Sequence, residues 1–139
     1  MSKDVYVFCE QRDGVIQNVS YELIGKAKEL AADLGQQVVG IVAGSGIGDL
    51  PQKLIARGAD KVVIADKPIL KEYSTKPYTD VVVKVVKDLQ PEVVIFGATS
   101  IGRDLAPSVS TMAAAASSAL RSVSLVPWPL ASFVVLVTT

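Results

Sequence analysis

Apolar positions follow two rhythms along the first 104 residues, short continuous runs and stripes spaced by three and four, and the two alternate. Val5 to Phe8 is the first run and reads as a strand, followed by a turn at Gln11-Arg12-Asp13-Gly14. From Ser20, a side chain suited to cap a helix, Leu23, Ala27, Leu30, Ala31 and Leu34 recur at helical spacing, and Gly35 stands where that helix should end. Lys26, Lys28, Glu29 and Asp33 fall on other faces, so the helix is expected to be half buried. Val38 to Ala43 is long enough for a strand covered on both faces and breaks at Gly44-Ser45-Gly46-Ile47-Gly48.

A short helix is predicted over Leu50 to Arg57, closed by Gly58, and a third strand over Lys61 to Ala65. Asp66 to Lys76 reads as irregular, with Pro68 and Pro77 as breaks. From about Tyr78 to Leu89 one stripe holds Tyr78, Val81, Val82, Val85, Val86 and Leu89, and Lys84, Lys87 and Asp88 lie off it. Valine lowers helix propensity, so the period carries that reading. A fourth strand spans Glu92 to Phe96 and ends at Gly97-Ala98-Thr99-Ser100. Ile101 to Pro107 reads as a loop entering a helix, with Thr99 or Ser100 as the cap and Asp104 near the positive helix end. Right-handed crossovers between such strands give an open, doubly wound parallel α/β sheet, a Rossmann-like three-layer sandwich.

From Ser108 the pattern dissolves. Residues 108–120 are small polar residues and alanines without a polar face, and Ser122 to Thr139 carries no charge. Pro127 and Pro129 around Trp128 shorten the apolar stretch below the roughly 20 residues a membrane span needs, which leaves a fifth strand at Ser132 to Val137 as the expectation.

The charge balance sharpens this division. The chain has 14 basic and 14 acidic side chains, and 27 of these 28 lie within residues 1–104, with only Arg121 after them. A balanced chain without a basic patch has no pull toward nucleic acid. Half of the residues are apolar, enough for a core without disulfides or metals, and Cys9 alone permits no internal bridge. The absence of histidine removes the commonest general base and zinc ligand. The amino terminus is too short and too charged to be a secretory signal, so a cytoplasmic protein is expected.

In an open parallel sheet, ligands sit beyond the carboxyl ends of the strands where the strand order reverses. If the first and fourth strands flank that point, Cys9, Glu10 and Gln11 line one side and Gly97 to Arg103 the other. Thr99, Gly102 and Arg103 are then the candidate cofactor-binding residues, able through backbone amides, hydroxyl and guanidinium to hold an anion or phosphate. The plainer reading has the glycines permit a tight turn and Arg103 pair with Asp104 or a partner chain. Gly44, Gly46 and Gly48 lack both the dinucleotide fingerprint, since Asp49 stands where the third glycine is needed, and the Walker Gly-Lys-Ser/Thr ending; they read as a flexible turn. Cys9 reads as a buried apolar group, and Tyr73 and Tyr78, with Lys71 and Lys76, as loop and helix-edge anchors.

The order of these pieces resembles the alpha subunit of electron transfer flavoproteins. The resemblance rests on Val5-Tyr6-Val7-Phe8-Cys9-Glu10, on the helix Glu22 to Ala31, on Gly58-Ala59-Asp60-Lys61-Val62, on Lys76-Pro77-Tyr78 and above all on Pro91 to Pro107. It covers residues 4–107, the family's amino-terminal domain, and implies an adenine-nucleotide alpha-hydrolase-like fold. It further implies a heterodimeric electron carrier with a beta subunit. Members take electrons on FAD from acyl-CoA and other dehydrogenases, as in fatty acid beta-oxidation, and AMP is a further ligand expected on the partner subunit. The protein's part there is to orient and tune the flavin, so no catalytic side chain and no metal are required.

The departures point the other way. In the family, Leu-Ala-Pro continues into an arginine and a Gly-Leu-Thr-Ala-Asp-Cys stretch, whereas Pro107 here is followed by Ser108. The carboxyl-terminal domain with the family's main FAD site has no counterpart, so this chain is expected not to bind FAD alone. Residues 1–107 are accordingly read as the family domain and 108–139 as a divergent apolar tail, expected from a frameshift or an aberrant gene end. The rival reading is a stand-alone adenine-nucleotide-binding module of the universal stress protein type, although Gly97 to Arg103 lacks the repeated Gly-Xaa-Xaa-Gly pattern of those proteins. A third is a structural partner docking through the Gly97 to Pro107 corner.

Overall fold

The computed structural model describes residues 4–117, 120–126 and 133–138. Four parallel strands form the body of its sheet: β1 (Val5–Cys9), β4 (Val38–Gly44), β5 (Lys61–Asp66) and β6 (Val93–Gly97). Their spatial order is β5-β4-β1-β6, so the chain winds outward from β1 in one direction and then returns to its other side. The reversal falls between β1 and β6, the arrangement on which the candidate crevice between the first and fourth strands depends. Beyond β6 the sheet departs from the purely parallel expectation. β8 (Phe133–Thr138) pairs antiparallel with β6, Val93 opposite Val137 and Gly97 opposite Phe133, and β7 (Leu120–Val126) pairs antiparallel with β8. The expected fifth strand is therefore present and is joined by one the sequence did not announce; Ser132 and the prolines at 127 and 129 lie outside the described residues.

Alternate residues of the strands feed two cores. Tyr6, Phe8, Val39, Ile41, Val94 and Phe96 pack under α3 (Thr75–Leu89) and α4 (Ser100–Ser117). Val5, Val7, Cys9, Val38, Val42 and Ile95 pack under α1 (Asn18–Leu34) and α2 (Leu50–Ala56). This is the three-layer sandwich. Burial of the strand side chains on both faces contributes about 1.5–3 kcal/mol for each large apolar group.

Three local expectations are corrected. First, α1 begins at Asn18 and not after a Ser20 cap, because β2 (Gln11–Arg12) and β3 (Val15–Ile16) form a hairpin that delivers the chain to the helix earlier. Its Asp13-Gly14 turn has both residues at positive φ, as type I′ hairpins require. Ser20 is instead buried inside α1, its hydroxyl donating to the Glu10 carbonyl at 3.0 Å. Second, α3 starts at Thr75, so Pro77 lies in the first turn, where its missing N–H costs no helical bond, and only Pro68–Leu70 forms a 3-10 turn before it. Third, Ile101 to Pro107 is helix and not loop, and α4 runs through Pro107 and across the expected junction at 107–108. Val109 and Ala113 are fully buried against α3 and the sheet, and Thr79 and Ser108 share a hydrogen bond of 2.9 Å. Gly35 ends α1 in the left-handed conformation, with Gln36 N–H donating to Ala31, as the sequence indicates.

Candidate functional site

The carboxyl ends of β1 and β6 meet at the strand-order reversal and bring Glu10, Gly97, Thr99 and Gly102 together. Their spacing is set by a close approach of backbone: a Cβ on Gly102 would lie 1.7 Å from the Gly97 carbonyl oxygen, so only glycine lets α4 start so near the end of β6. A Cβ on Gly97 would in turn meet Val19 Cγ2 at 2.9 Å and Glu10 Oε2 at 3.3 Å.

Thr99 is the cap of α4. Its hydroxyl accepts the Gly102 N–H at 3.0 Å and donates to Glu10 Oε2 at 2.6 Å, and its carbonyl accepts the Arg103 N–H at 2.9 Å. The anion at this helix start is thus the chain's own carboxylate. Glu10 is only 6% exposed. Burial raises its pKa, opposed by the Thr99 hydrogen bond and the charge of Arg12. Of the candidate residues, Thr99 has its hydroxyl engaged on both sides, Gly102 is buried beneath Gly97, and Arg103 is exposed with no ion-pair partner among the described residues.

Asp104 does not pair with Arg103. It turns to α3, where its Oδ2 accepts hydrogen bonds from Tyr73 Oη at 2.5 Å and Thr75 Oγ1 at 2.6 Å. These two bonds hold its pKa below the ordinary aspartate range, and the Tyr73 hydroxyl, partly buried and facing that carboxylate, is pushed above its own. Tyr78 packs edge-on to Tyr73 and Phe8 and donates to the Leu70 carbonyl at 2.6 Å; it is a core anchor, as expected. Cys9 is buried, its pKa pushed up to about 12 chiefly by desolvation, which suits the inert thiol the sequence suggested.

The glycine-rich turn after β4 repeats the theme. The amides of Gly46 and Ile47 donate to the Asp66 carboxylate at 2.8 and 3.1 Å, so an internal anion sits where a phosphate loop would place its ligand. Gln11 closes the space above β4, its Nε2 donating to the Ala43 carbonyl at 3.1 Å and its Oε1 accepting the Gly14 N–H at 3.1 Å. The Gly46–Asp66, Gln11–Ala43 and Glu10–Thr99 contacts join residues 20, 32 and 89 apart in sequence and were missed by sequence reading. The usable signal was an acid, Glu10, directly after a fully apolar strand. Two open grooves lie elsewhere, one of about 390 Å³ between the 67–70 turn and α3 and one of about 510 Å³ between β5 and α3. Among the described residues no helix is long and apolar enough to cross a membrane, and no cluster of acidic or thiol side chains could hold a metal ion.

Comparison with known proteins decides the family, because the electron transfer flavoprotein domain model matches residues 5–119. The chain belongs to the electron transfer flavoprotein domain family. Its relatives include the acryloyl-CoA reductase electron transfer subunit beta of Anaerotignum propionicum, 45% identical over 105 residues, 76% of this chain and 29% of that protein. The electron transfer flavoprotein subunit alpha of Clostridium acetobutylicum is 44% identical over 108 residues, 78% of this chain and 32% of its own length. The chain therefore spans about a third of the length of these flavoprotein relatives. Among solved structures, a universal stress protein in complex with cAMP aligns at a TM-score of 0.48 and 16% identity, over 80% of this chain and 91% of that one.

Proposed function

We propose that this chain supplies the amino-terminal domain of an alpha-type electron transfer flavoprotein subunit and serves as a scaffold that docks on a beta subunit, the flavin being held elsewhere in the complex. The observation that carries this is the family match over residues 5–119. In such a complex, FAD would supply the electron-carrying chemistry, with acyl-CoA or other dehydrogenases as donors, AMP on the partner subunit and the cytoplasm as the setting.

The corner at Thr99, Gly102 and Arg103 does not fit the pyrophosphate of FAD. A buried carboxylate already stands at the α4 start, Thr99 is engaged by it, and like charge opposes a phosphate there. The Asp66 carboxylate on the Gly46 and Ile47 amides argues the same way for the second corner. The same two features, with the names of the relatives, count against a stand-alone adenine-nucleotide module.

Co-expression with an electron transfer flavoprotein beta subunit, with a tag on one chain only, tests the reading. Equimolar co-purification is expected, and the chain alone should be colourless and show no melting shift with millimolar AMP or ATP. A ligand at about 100 times its Kd would add roughly 2.7 kcal/mol, a readily measured shift. A stable yellow chain, a nucleotide-dependent shift, or failure to co-purify would overturn it.

A further inference from the structure

We propose that Glu10 and Thr99 form a proton-sensitive clasp that fixes the first turn of α4 to the end of β1, and with it the line along which α4 leaves the sheet. The clasp is a property of this domain and stands independently of the flavoprotein reading.

The geometry ties three elements at one residue. The Glu10 carbonyl accepts the Gln17 N–H at 2.9 Å and the Ser20 hydroxyl at 3.0 Å, which anchors it to the start of α1. Its carboxylate reaches the other way, past Gly97, to the Thr99 hydroxyl at 2.6 Å. A hydroxyl has one proton and two lone pairs. With Glu10 ionised, the Thr99 proton is directed to Oε2, which leaves a lone pair for the Gly102 N–H at 3.0 Å. Protonation of the carboxyl weakens Oε2 as an acceptor or, at Oε2 itself, turns it into a donor to the hydroxyl, so the Thr99 proton loses its charged acceptor and the hydroxyl is held less firmly.

Few other charges act on this carboxylate. Arg12 on β2 favours its ionised form, and Cys9 on β1 is a neutral thiol. α1 presents Val19 and Ser20, and the β6–α4 connection presents Gly97 and Thr99, none of which titrates in the range concerned. Asp104 on α4 is turned away to Tyr73 and Thr75. Because burial raises the Glu10 pKa, the clasp switches above the ordinary carboxylate range. Fraying of the first turn of α4 leaves Glu10 in place under Val19 and Gly97 but deprives it of the hydroxyl. The clasped state therefore favours the ionised carboxylate and the frayed state the protonated one.

Amide hydrogen exchange by NMR on the whole chain, corrected for intrinsic exchange rates, tests this. Protection of the Gly102 and Arg103 amides should rise with pH across the Glu10 titration, with β1 and β4 amides as the internal control for folding. Glu10→Gln should abolish that dependence. Thr99→Val should lower Gly102 protection by about fivefold, the loss of one helix cap, and Thr99→Ser should restore it. Protection in the unaltered chain that is flat or falls with pH overturns the clasp, whether or not the variants fold. So does a dependence that survives in Glu10→Gln, or full Gly102 protection in Thr99→Val.

Discussion

Glu10 and Asp104 tie the same helix to two different neighbours with the same chemistry, yet the fold moves their pKa values in opposite directions. Glu10 meets α4 from β1 and takes a hydroxyl hydrogen bond of 2.6 Å; Asp104 leaves α4 for α3 and takes two, at 2.5 and 2.6 Å. Hydrogen bonds to a carboxylate lower its pKa in both places. Burial decides the sign: Glu10 lies beneath the switch-point crevice and is raised, whereas Asp104 lies in water and is lowered. A paired carboxylate is thus evidence of positioning on both sides, and evidence of stabilisation only on the exposed one.

The largest effect is expected from moving the helix itself. Gly102→Ala places a methyl group against the Gly97 carbonyl, which is backbone and cannot rotate away, so a loss of about 3 kcal/mol or more is expected in urea unfolding. Both carboxylates would then lose their partners together. A smaller and one-sided effect is expected from Thr99→Val, about 1–2 kcal/mol, since it removes a cap and leaves Glu10 buried without its hydroxyl. Thr75→Val on the exposed side should cost clearly less than Thr99→Val, because water replaces the lost bond. Equal losses at Thr99 and Thr75 would remove burial as the distinguishing cause.

The pH dependence separates the two carboxylates by sign. A raised native pKa means that the folded chain holds more protons than the unfolded one. The Glu10 contribution to stability is therefore full below the ordinary value near 4.5 and is lost as pH rises through the raised one. Asp104 behaves in reverse: its contribution is present above the ordinary value near 3.8 and is lost as pH falls through the lowered one. In melting temperature followed against pH, Glu10→Gln should flatten the decline on the higher side, and Asp104→Asn the decline on the acid side. Melting should thus weaken over the interval in which the Gly102 amide becomes better protected, because ionised Glu10 tightens α4 locally while its burial opposes the fold as a whole.

How far the sequence led depends on the distance between partners. Val5 to Phe8 and Val38 to Ala43 were legible because strands buried on both faces must be apolar throughout, and Gly35 and Thr99 because caps are local chemistry. The runs left the strand order open; only on the condition that the first and fourth strands flank the reversal did Glu10 face the Gly97 to Arg103 segment, and the structure meets that condition. What Glu10 and Thr99 do to each other did not follow, because 89 residues separate them and nothing local says that a carboxylate will occupy the crevice. Ser20 was misjudged for a related reason. It has the chemistry of a cap, but the hairpin ahead of α1 carries the chain past it, and its hydroxyl is used on Glu10 instead. The strand at Leu120–Val126 was missed although Ser122-Val123-Ser124-Leu125 alternates as a half-buried strand does, because the alanine and serine run before it drew the reading toward a patternless segment.

The finest test concerns Tyr73, which belongs to both sides of the exposed grip. Its ring packs edge-on to Tyr78 at 5.0 Å between centroids, and its hydroxyl donates to Asp104. Tyr73→Phe keeps the ring contact and removes one of the two bonds that lower the Asp104 pKa; Thr75, the larger contributor, remains. Stability at neutral pH should therefore change little, because water replaces the lost bond at an exposed carboxylate. The carboxyl carbon of Asp104, followed by NMR titration, should shift its midpoint part of the way back toward the ordinary value. If the midpoint stayed in place, Thr75 alone would set the Asp104 pKa, one hydroxyl on one carboxylate, as Thr99 is for Glu10.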